Sequence, residues 1–185
     1  MSRIIAGSLG GRRIAVPDGR TTRPTSDRTR EALFSSLDAT HDLSSGPFLD
    51  LYAGSGAVAI EAISRGAPSA VLVESARTAI AVIERNLREL KIADQARVVA
   101  GQVSRVLPQL TGLAAATVFV DPPYGDDAQP VADALEVGRE LGVIAPDALI
   151  VVERDRRSGW RWPATIEAVR DRRYGETTLW YGRPL

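Results

Sequence analysis

The chain alternates short apolar, β-branched runs with longer stretches in which apolar side chains recur every three or four positions. The first kind predicts strands buried on both faces, the second amphipathic helices. Strands are expected over residues 48–51, 70–73, 97–100, 117–120 and 148–152. Between them lie a helix over 57–65 that stops at Gly66 and a helix over 77–90 with Ile80, Ile83, Leu87 and Leu90 on its core face. A short helix over 104–110 and one marked by Val131, Leu135, Val137 and Leu141 complete the series. Such alternation predicts parallel neighbours, because each helix carries the chain back across the sheet. The last two apolar stretches, around Ile166 and over 177–181, are joined without a helix through Tyr174-Gly175-Glu176. They are expected to pair as an antiparallel hairpin at the sheet edge. The expected fold is α/β: a mostly parallel seven-stranded sheet, the last strand antiparallel, flanked by helices.

Two elements precede this series. Residues 3–17 read as a β-hairpin, Arg3-Ile4-Ile5-Ala6-Gly7 and Arg12-Arg13-Ile14-Ala15-Val16 around a Leu9-Gly10-Gly11 turn. A lone hairpin is marginal in water, so it must dock on the main body or on a ligand. Thr25-Ser26-Asp27 offers N-cap residues for a helix whose apolar face is Leu33, Phe34 and Leu37, with Arg28 and Arg30 on its polar side. Residues 38–47 read as a loop, and the only histidine, His41, is expected to be exposed and without a catalytic role. The expected organisation is an N-terminal extension, 1–22, ahead of one domain, 23–185.

Composition narrows the chemistry. A chain of 185 residues holds one domain with room for an appendage. It has no cysteine, which excludes disulfides, thiolate metal sites and a cysteine nucleophile. No apolar run approaches the roughly 20 residues needed to cross a bilayer, and the start lacks the apolar core of a signal peptide; a cytoplasmic protein is expected. The formal charge is zero, but residues 1–37 carry seven Arg against three acids and residues 153–185 eight Arg against five. Residues 38–152 hold eight basic against fifteen acidic side chains. If the two basic ends meet in space they form the footprint of a nucleic-acid binder; otherwise they are two solvated arginine-rich segments.

Two stretches carry candidate chemistry. In Asp121-Pro122-Pro123-Tyr124 the prolines cannot extend a central strand, so the chain must leave the sheet at Asp121. Ligands of open α/β sheets bind at such carboxyl ends. An exocyclic amine on a nucleobase is a poor nucleophile, because its lone pair is delocalised into the ring. Asp121 and the Pro122 carbonyl, as acceptors, would localise that lone pair, and Tyr124 would stack on the base. The second stretch is Asp50-Leu51-Tyr52-Ala53-Gly54-Ser55-Gly56, a strand running into a glycine turn before a helix, the usual nucleotide cradle. Glu74, with Ser75 after it, ends the next strand, where a carboxylate accepts ribose hydroxyls. Gly54-x-Gly56-x-x-Ala59 also fits a dinucleotide fingerprint, and the ribose contact suits NAD and S-adenosylmethionine (SAM) alike. Asp50, able to meet a cationic amino group, and the amine-gripping loop favour SAM. Gln102 and Val103 follow the third strand, where an adenine edge would lie or an ordinary loop would run.

Five β-α units and a final hairpin look like the class I SAM-dependent methyltransferase fold, a Rossmann-like sheet. Arg3-Ile4-Ile5-Ala6-Gly7, Arg23-Pro24-Thr25, Arg28-x-Arg30-Glu31-Ala32-Leu33-Phe34, the Asp50-to-Gly56 loop, Asp121-Pro122-Pro123-Tyr124 and Tyr174-Gly175-x-Thr177 together resemble the RsmD family. That resemblance implies methylation of the exocyclic amine of one guanine in 16S ribosomal RNA. It implies that Asp50, Tyr52, Ala53, Gly54, Ser55 and Gly56 line the cofactor, that Glu74 takes its ribose, and that Asp121, Pro122, Pro123 and Tyr124 hold the amine. Arg12, Arg13, Arg23 and Thr25 would face the RNA, and Arg3, Arg20 and Arg28 complete that candidate set. Such folds often carry an acid at the adenine position where this chain has Gln102. The expected reaction is direct transfer to a base taken out of its stack, with no metal and no covalent intermediate. The expected partner is 16S rRNA, within an assembling small subunit, and the expected state a monomer. Competing readings are an amino-methyltransferase acting on adenine in DNA or on protein, a dinucleotide-binding protein, and a non-catalytic RNA-binding module.

Overall fold

The computed structural model describes residues 2–17, 27–123 and 127–185. The chain opens with a small hairpin, β1 (Ser2–Arg3) against β2 (Arg13–Ile14), antiparallel. Helix α1 (Asp27–Thr40) follows. The body then alternates β3 (Phe48–Leu51), α2 (Ala57–Ser64), β4 (Ala70–Glu74), α3 (Arg77–Leu90), β5 (Ala96–Ala100), α4 (Val103–Val106), β6 (Ala115–Val120), α5 (Ala128–Glu140) and β7 (Ile144–Asp155). It closes with β8 (Ile166–Tyr174) and β9 (Thr177–Pro184). Seven strands form one sheet in the order β5-β4-β3-β6-β7-β9-β8. The first five are parallel neighbours, and β9 runs antiparallel between β7 and β8.

Alternation along the strands explains why the sheet is covered on both faces. Phe48, Leu72, Phe119, Val151 and Tyr181 pack with α1, α2, α3 and the hairpin's Ile4 and Ile14. Leu49, Leu51, Val73, Val118, Val120 and Val152 pack with α4, α5 and Trp160. Adjacent residues thus serve opposite layers. The sheet order reverses between β3 and β6, so helices leave those two strands on opposite faces and open a crevice above their carboxyl ends.

The hairpin is tied to the body by buried polar side chains. Glu61, fully buried in α2, accepts from the backbone N–H groups of Ile5 (2.7 Å) and Ala6 (3.0 Å). Ser64 Oγ accepts from Leu9 N–H at 2.9 Å, and the Ser64 carbonyl accepts from Ser8 N–H at 2.7 Å. Gly7 (φ +80°) permits this approach, since a Cβ there would sit 1.9 Å from the Ser64 carbonyl oxygen. Asn86 of α3 accepts from Ala15 N–H (2.8 Å) and donates to the carbonyls of Ala15 (3.0 Å) and Ser55 (3.1 Å). One amide therefore joins the hairpin to the glycine loop.

Several expectations are corrected. Arg30 is not on a polar face: it is 1% exposed, donates to the Arg3 carbonyl and Ser2 Oγ, pairs with Asp27 at 2.9 Å and lies 3.8 Å from Glu61. Its spacing to Leu33, Phe34 and Leu37 puts it on the apolar face, where a guanidinium persists only when paired. His41 is not exposed. It caps α1 one turn beyond Leu37, its Nε2 meets Thr117 Oγ1 at 2.8 Å, and burial followed by the Arg183 charge lowers its pKa. Residues 38–47 are only partly loop, because α1 continues to Thr40 and a 3-10 turn spans Leu43–Ser45. Val137 turns outward and Ile80 is half-buried. The two basic ends meet across α1: Arg30 reaches the hairpin, while Arg170 of β8 donates to Ser36 Oγ (2.7 Å) and Thr40 Oγ1 (2.9 Å).

Candidate active site

Strand register brings the candidate acids to one edge. Leu51 pairs with Val73 on one side and Val120 on the other, and Val120 pairs with Val152. Glu74 and Asp121 therefore stand at the carboxyl ends of β4 and β6, with Asp50 one residue inside the end of β3 and Glu153 just past the last parallel rung of β7. Asp121 N–H still donates to the Leu51 carbonyl at 3.3 Å, the last rung of β6. Pro122, which has no N–H to give, ends the ladder there and is buried; Asp121 stays partly open and Pro123 is exposed.

Asp50 lies within β3, 1% exposed, and its Oδ2 accepts from Ala59 N–H in α2 at 3.2 Å. Burial pushes its pKa up to about 8, and the charges of Asp121 and Glu74 push in the same direction. At neutral pH the acid is held largely protonated, and a cation brought beside it would favour release of that proton. Glu74 spans the cradle: Oε2 accepts from Gly54 N–H (2.8 Å), and Oε1 from Ser75 N–H (2.8 Å) and Ala76 N–H (2.9 Å).

The glycine loop is a tight step from strand to helix. Tyr52 adopts φ 69°, unusual for a residue with a Cβ, and both Tyr52 and Ala53 N–H groups donate to the Val73 carbonyl. Such strain is of order 1–3 kcal/mol and gathers where a loop is shaped for a ligand. Gly56 (φ 78°) caps α2, and a Cβ on it would meet Leu72 at 3.1 Å. The loop thus lies close over β4, with the N-terminus of α2 beside Asp50. These features fit two polar parts of SAM: a buried carboxyl for its cationic amino group, and a second carboxylate, Glu74, for its ribose hydroxyls. Gln102 is exposed ahead of α4 with no side-chain cap bond, whereas Val103 is buried.

Beside Asp121 lies a cavity of about 440 Å³, lined by Asp121, Pro122, Asp127, Glu153, Arg154 and Arg157 among others. Glu153, Arg154 and Arg157 are not among the residues that the sequence motifs select. The carboxyl-end rule that selects Glu74 and Asp121 selects Glu153 equally, since it follows the apolar run 148–152. Tyr124, Arg20, Arg23 and Thr25 lie outside the described residues. Arg3, Arg13 and Arg28 are exposed, while Arg12 is exposed yet donates to the Glu89 carbonyl at the end of α3 (3.1 Å). None of the described arginines of this set is brought to the Asp121 cavity. No described helix is long and apolar enough to cross a membrane.

The family described as "Conserved hypothetical protein 95" matches residues 2–183. The chain is 39% identical over 157 residues to Ribosomal RNA small subunit methyltransferase D of Escherichia coli (strain K12), covering 85% of this chain and 76% of that protein. The solved structure of yhhF from Escherichia coli superposes with a TM-score of 0.83 at 33% identity, covering 99% and 97% of the two chains. At 17% identity an RNA methyltransferase from Salinibacter ruber, solved with S-adenosyl-L-homocysteine, shares the fold, with a TM-score of 0.66 and coverage of 87% and 94%.

Proposed function

The chain belongs to the Conserved hypothetical protein 95 family, and we infer that it is a SAM-dependent rRNA methyltransferase whose target is the exocyclic amine of a guanine in 16S rRNA. The observation that carries this reading is the clustering of Asp50, Glu74 and Asp121 on one sheet edge, with the Pro122 exit between the cofactor cradle and an open cavity.

Bound SAM supplies a methyl group activated by its sulfonium. Asp50 answers the amino group of that ligand, and Glu74 its ribose hydroxyls. Asp121 and the Pro122 carbonyl accept both hydrogens of the target amine, so the nitrogen lone pair is localised and aimed. Tyr124 stacks on the base, and the proton released on transfer departs from the amine side, where Asp121 is partly open to water. Positioning supplies most of the acceleration. Arg13 and Arg28, both exposed, contact RNA phosphates together with Arg20 and Arg23. The substrate is an assembling small subunit, the enzyme acts as a monomer, and it works in the cytoplasm. Residues 1–22 serve as the RNA-binding extension.

The test is tritiated methyl transfer to 16S RNA, partly assembled small subunits and duplex DNA in parallel. Label recovered as N2-methylguanine is expected from the RNA or subunit lanes. Asp121→Ala should nearly abolish that transfer while SAM affinity stays within a few-fold. Label in DNA alone, or full turnover by Asp121→Ala, overturns the assignment.

A further inference from the structure

We propose that Glu153 reads the identity of the base: its carboxylate accepts the N1–H of the guanine whose 2-amino group is held by Asp121 and the Pro122 carbonyl. This rests on the amine-methylating reading above and adds the source of its base selectivity.

Three observations converge. Val120 and Val152 are partners in the parallel β6–β7 ladder, so Asp121 and Glu153, one residue further along each strand, emerge side by side. Both line the same cavity of about 440 Å³, a size typical of small-ligand sites. Glu153 is 5% exposed and follows Leu149, Ile150, Val151 and Val152 in β7. It is thus a nearly closed carboxylate that still borders the cavity.

Guanine offers the matching pattern. Its pairing edge presents two adjacent donors, N1–H and the 2-amino group, and then the O6 acceptor. Two neighbouring carboxylates meet the two donors, while Arg157, which is exposed and lines the same cavity, is a cationic donor suited to O6. Adenine presents one amine beside a bare N1, whose lone pair would face Glu153. A site built to hydrogen-bond a substrate N–H rejects analogues lacking it far more strongly than an apolar pocket does. Glu153 would therefore set specificity, with Asp121 setting reactivity.

The experiment uses 2-aminopurine, which keeps the amine but has neither N1–H nor O6. Once the labelled guanine of the transfer assay has been located, RNA is assembled with guanine or 2-aminopurine at that one position. Wild-type protein is expected to prefer guanine by about 100-fold or more in kcat/KM. Glu153→Gln, whose amide can donate to a bare N1, should shrink that preference to about ten-fold or less, with SAM affinity unchanged within two-fold. A purely structural role for Glu153 would lower both rates together and leave their ratio fixed; that result overturns the proposal. So does equal use of the two bases by wild-type protein, a measurement that needs no variant to fold. Failure of wild-type protein to label any RNA removes the amine-methylating reading itself, an outcome distinct from either.

Discussion

Replacing Asp50 by Asn should stabilise the ligand-free protein at neutral pH and flatten its pH dependence. The native carboxyl, fully buried and flanked by Asp121 and Glu74, titrates at about 8, against an ordinary value of 3.8. Between those values the folded protein holds a proton that the unfolded chain has released, so its stability falls as pH rises. The slope is about 1.4 kcal/mol per pH unit. The contribution is intact below about pH 4, is lost progressively up to about pH 8, and is level above that. The full loss is about 6 kcal/mol, an upper bound because water entry around a buried acid lessens its desolvation. Asn keeps the shape and an acceptor for Ala59 N–H but carries no titrating proton. Urea denaturation of both proteins from pH 5 to 9 isolates the effect, since groups that do not interact with Asp50 cancel in the difference. The variant should gain on wild type with rising pH, by a few kcal/mol in total, and the gain should stop near pH 8. SAM should reverse the order: wild-type affinity should improve about five-fold from pH 7 to 8 as the carboxyl ionises, and the variant should bind more weakly. Parallel stability curves, or a variant less stable than wild type at pH 7, would refute the reasoning.

Other tests address the extension. Gly7→Ala forces a Cβ to 1.9 Å from the Ser64 carbonyl oxygen at a φ of +80°; a loss of about 2–4 kcal/mol is expected by thermal or chemical melting. An unchanged melting curve would show that the turn can lift from α2 freely. Arg13→Glu combined with Arg28→Glu should weaken RNA binding and flatten its log–log salt dependence, by about one in slope for each phosphate no longer neutralised, leaving SAM affinity unaltered. Unchanged RNA affinity would take both side chains off the interface. Point substitutions serve better than deleting residues 1–20, because deletion strips the donors that Glu61 and Asn86 now receive.

The strands β4 and β6 and residues 148–152 of β7 are legible because burial on both faces writes itself as apolar runs, as at Val118, Phe119 and Val120, whereas β5 lies at the sheet edge and is only partly buried, contrary to the expectation for residues 97–100. Glu74 and Asp121 are legible for a related reason: a polar residue ending such a run sits at the strand's carboxyl end, whereas Asp50, inside β3, is legible only from the glycine loop that follows it. Glu153 follows the same rule after Val152. Arg30 misleads when its charge is weighed above its spacing to Leu33, Phe34 and Leu37, which alone gives the correct face. The roles of Glu61 and Asn86 have no local signature. Both act by bonding backbone groups 55 to 71 residues distant, which no pattern within a helix reveals. His41 likewise meets a threonine 76 residues away.

The clasp between the hairpin and helices α2 and α3 has a consequence for the order in which the chain matures. Ile5 waits for Glu61, and Ala15 for Asn86, separations of 56 and 71 residues. The hairpin thus cannot settle until α3 has been made. Pairings so far apart close slowly, because the intervening chain must be confined first. Ile4 and Ile14 remain uncovered on a growing chain until α3 arrives, an interval in which chaperones or proteases can act on it. Docking of the hairpin brings Asn86 onto Ala15 and Ser55 together, so the exposed arginines and the glycine loop reach their final positions in one late step. A chain arrested before α3 would carry the basic arm without the means to fasten it.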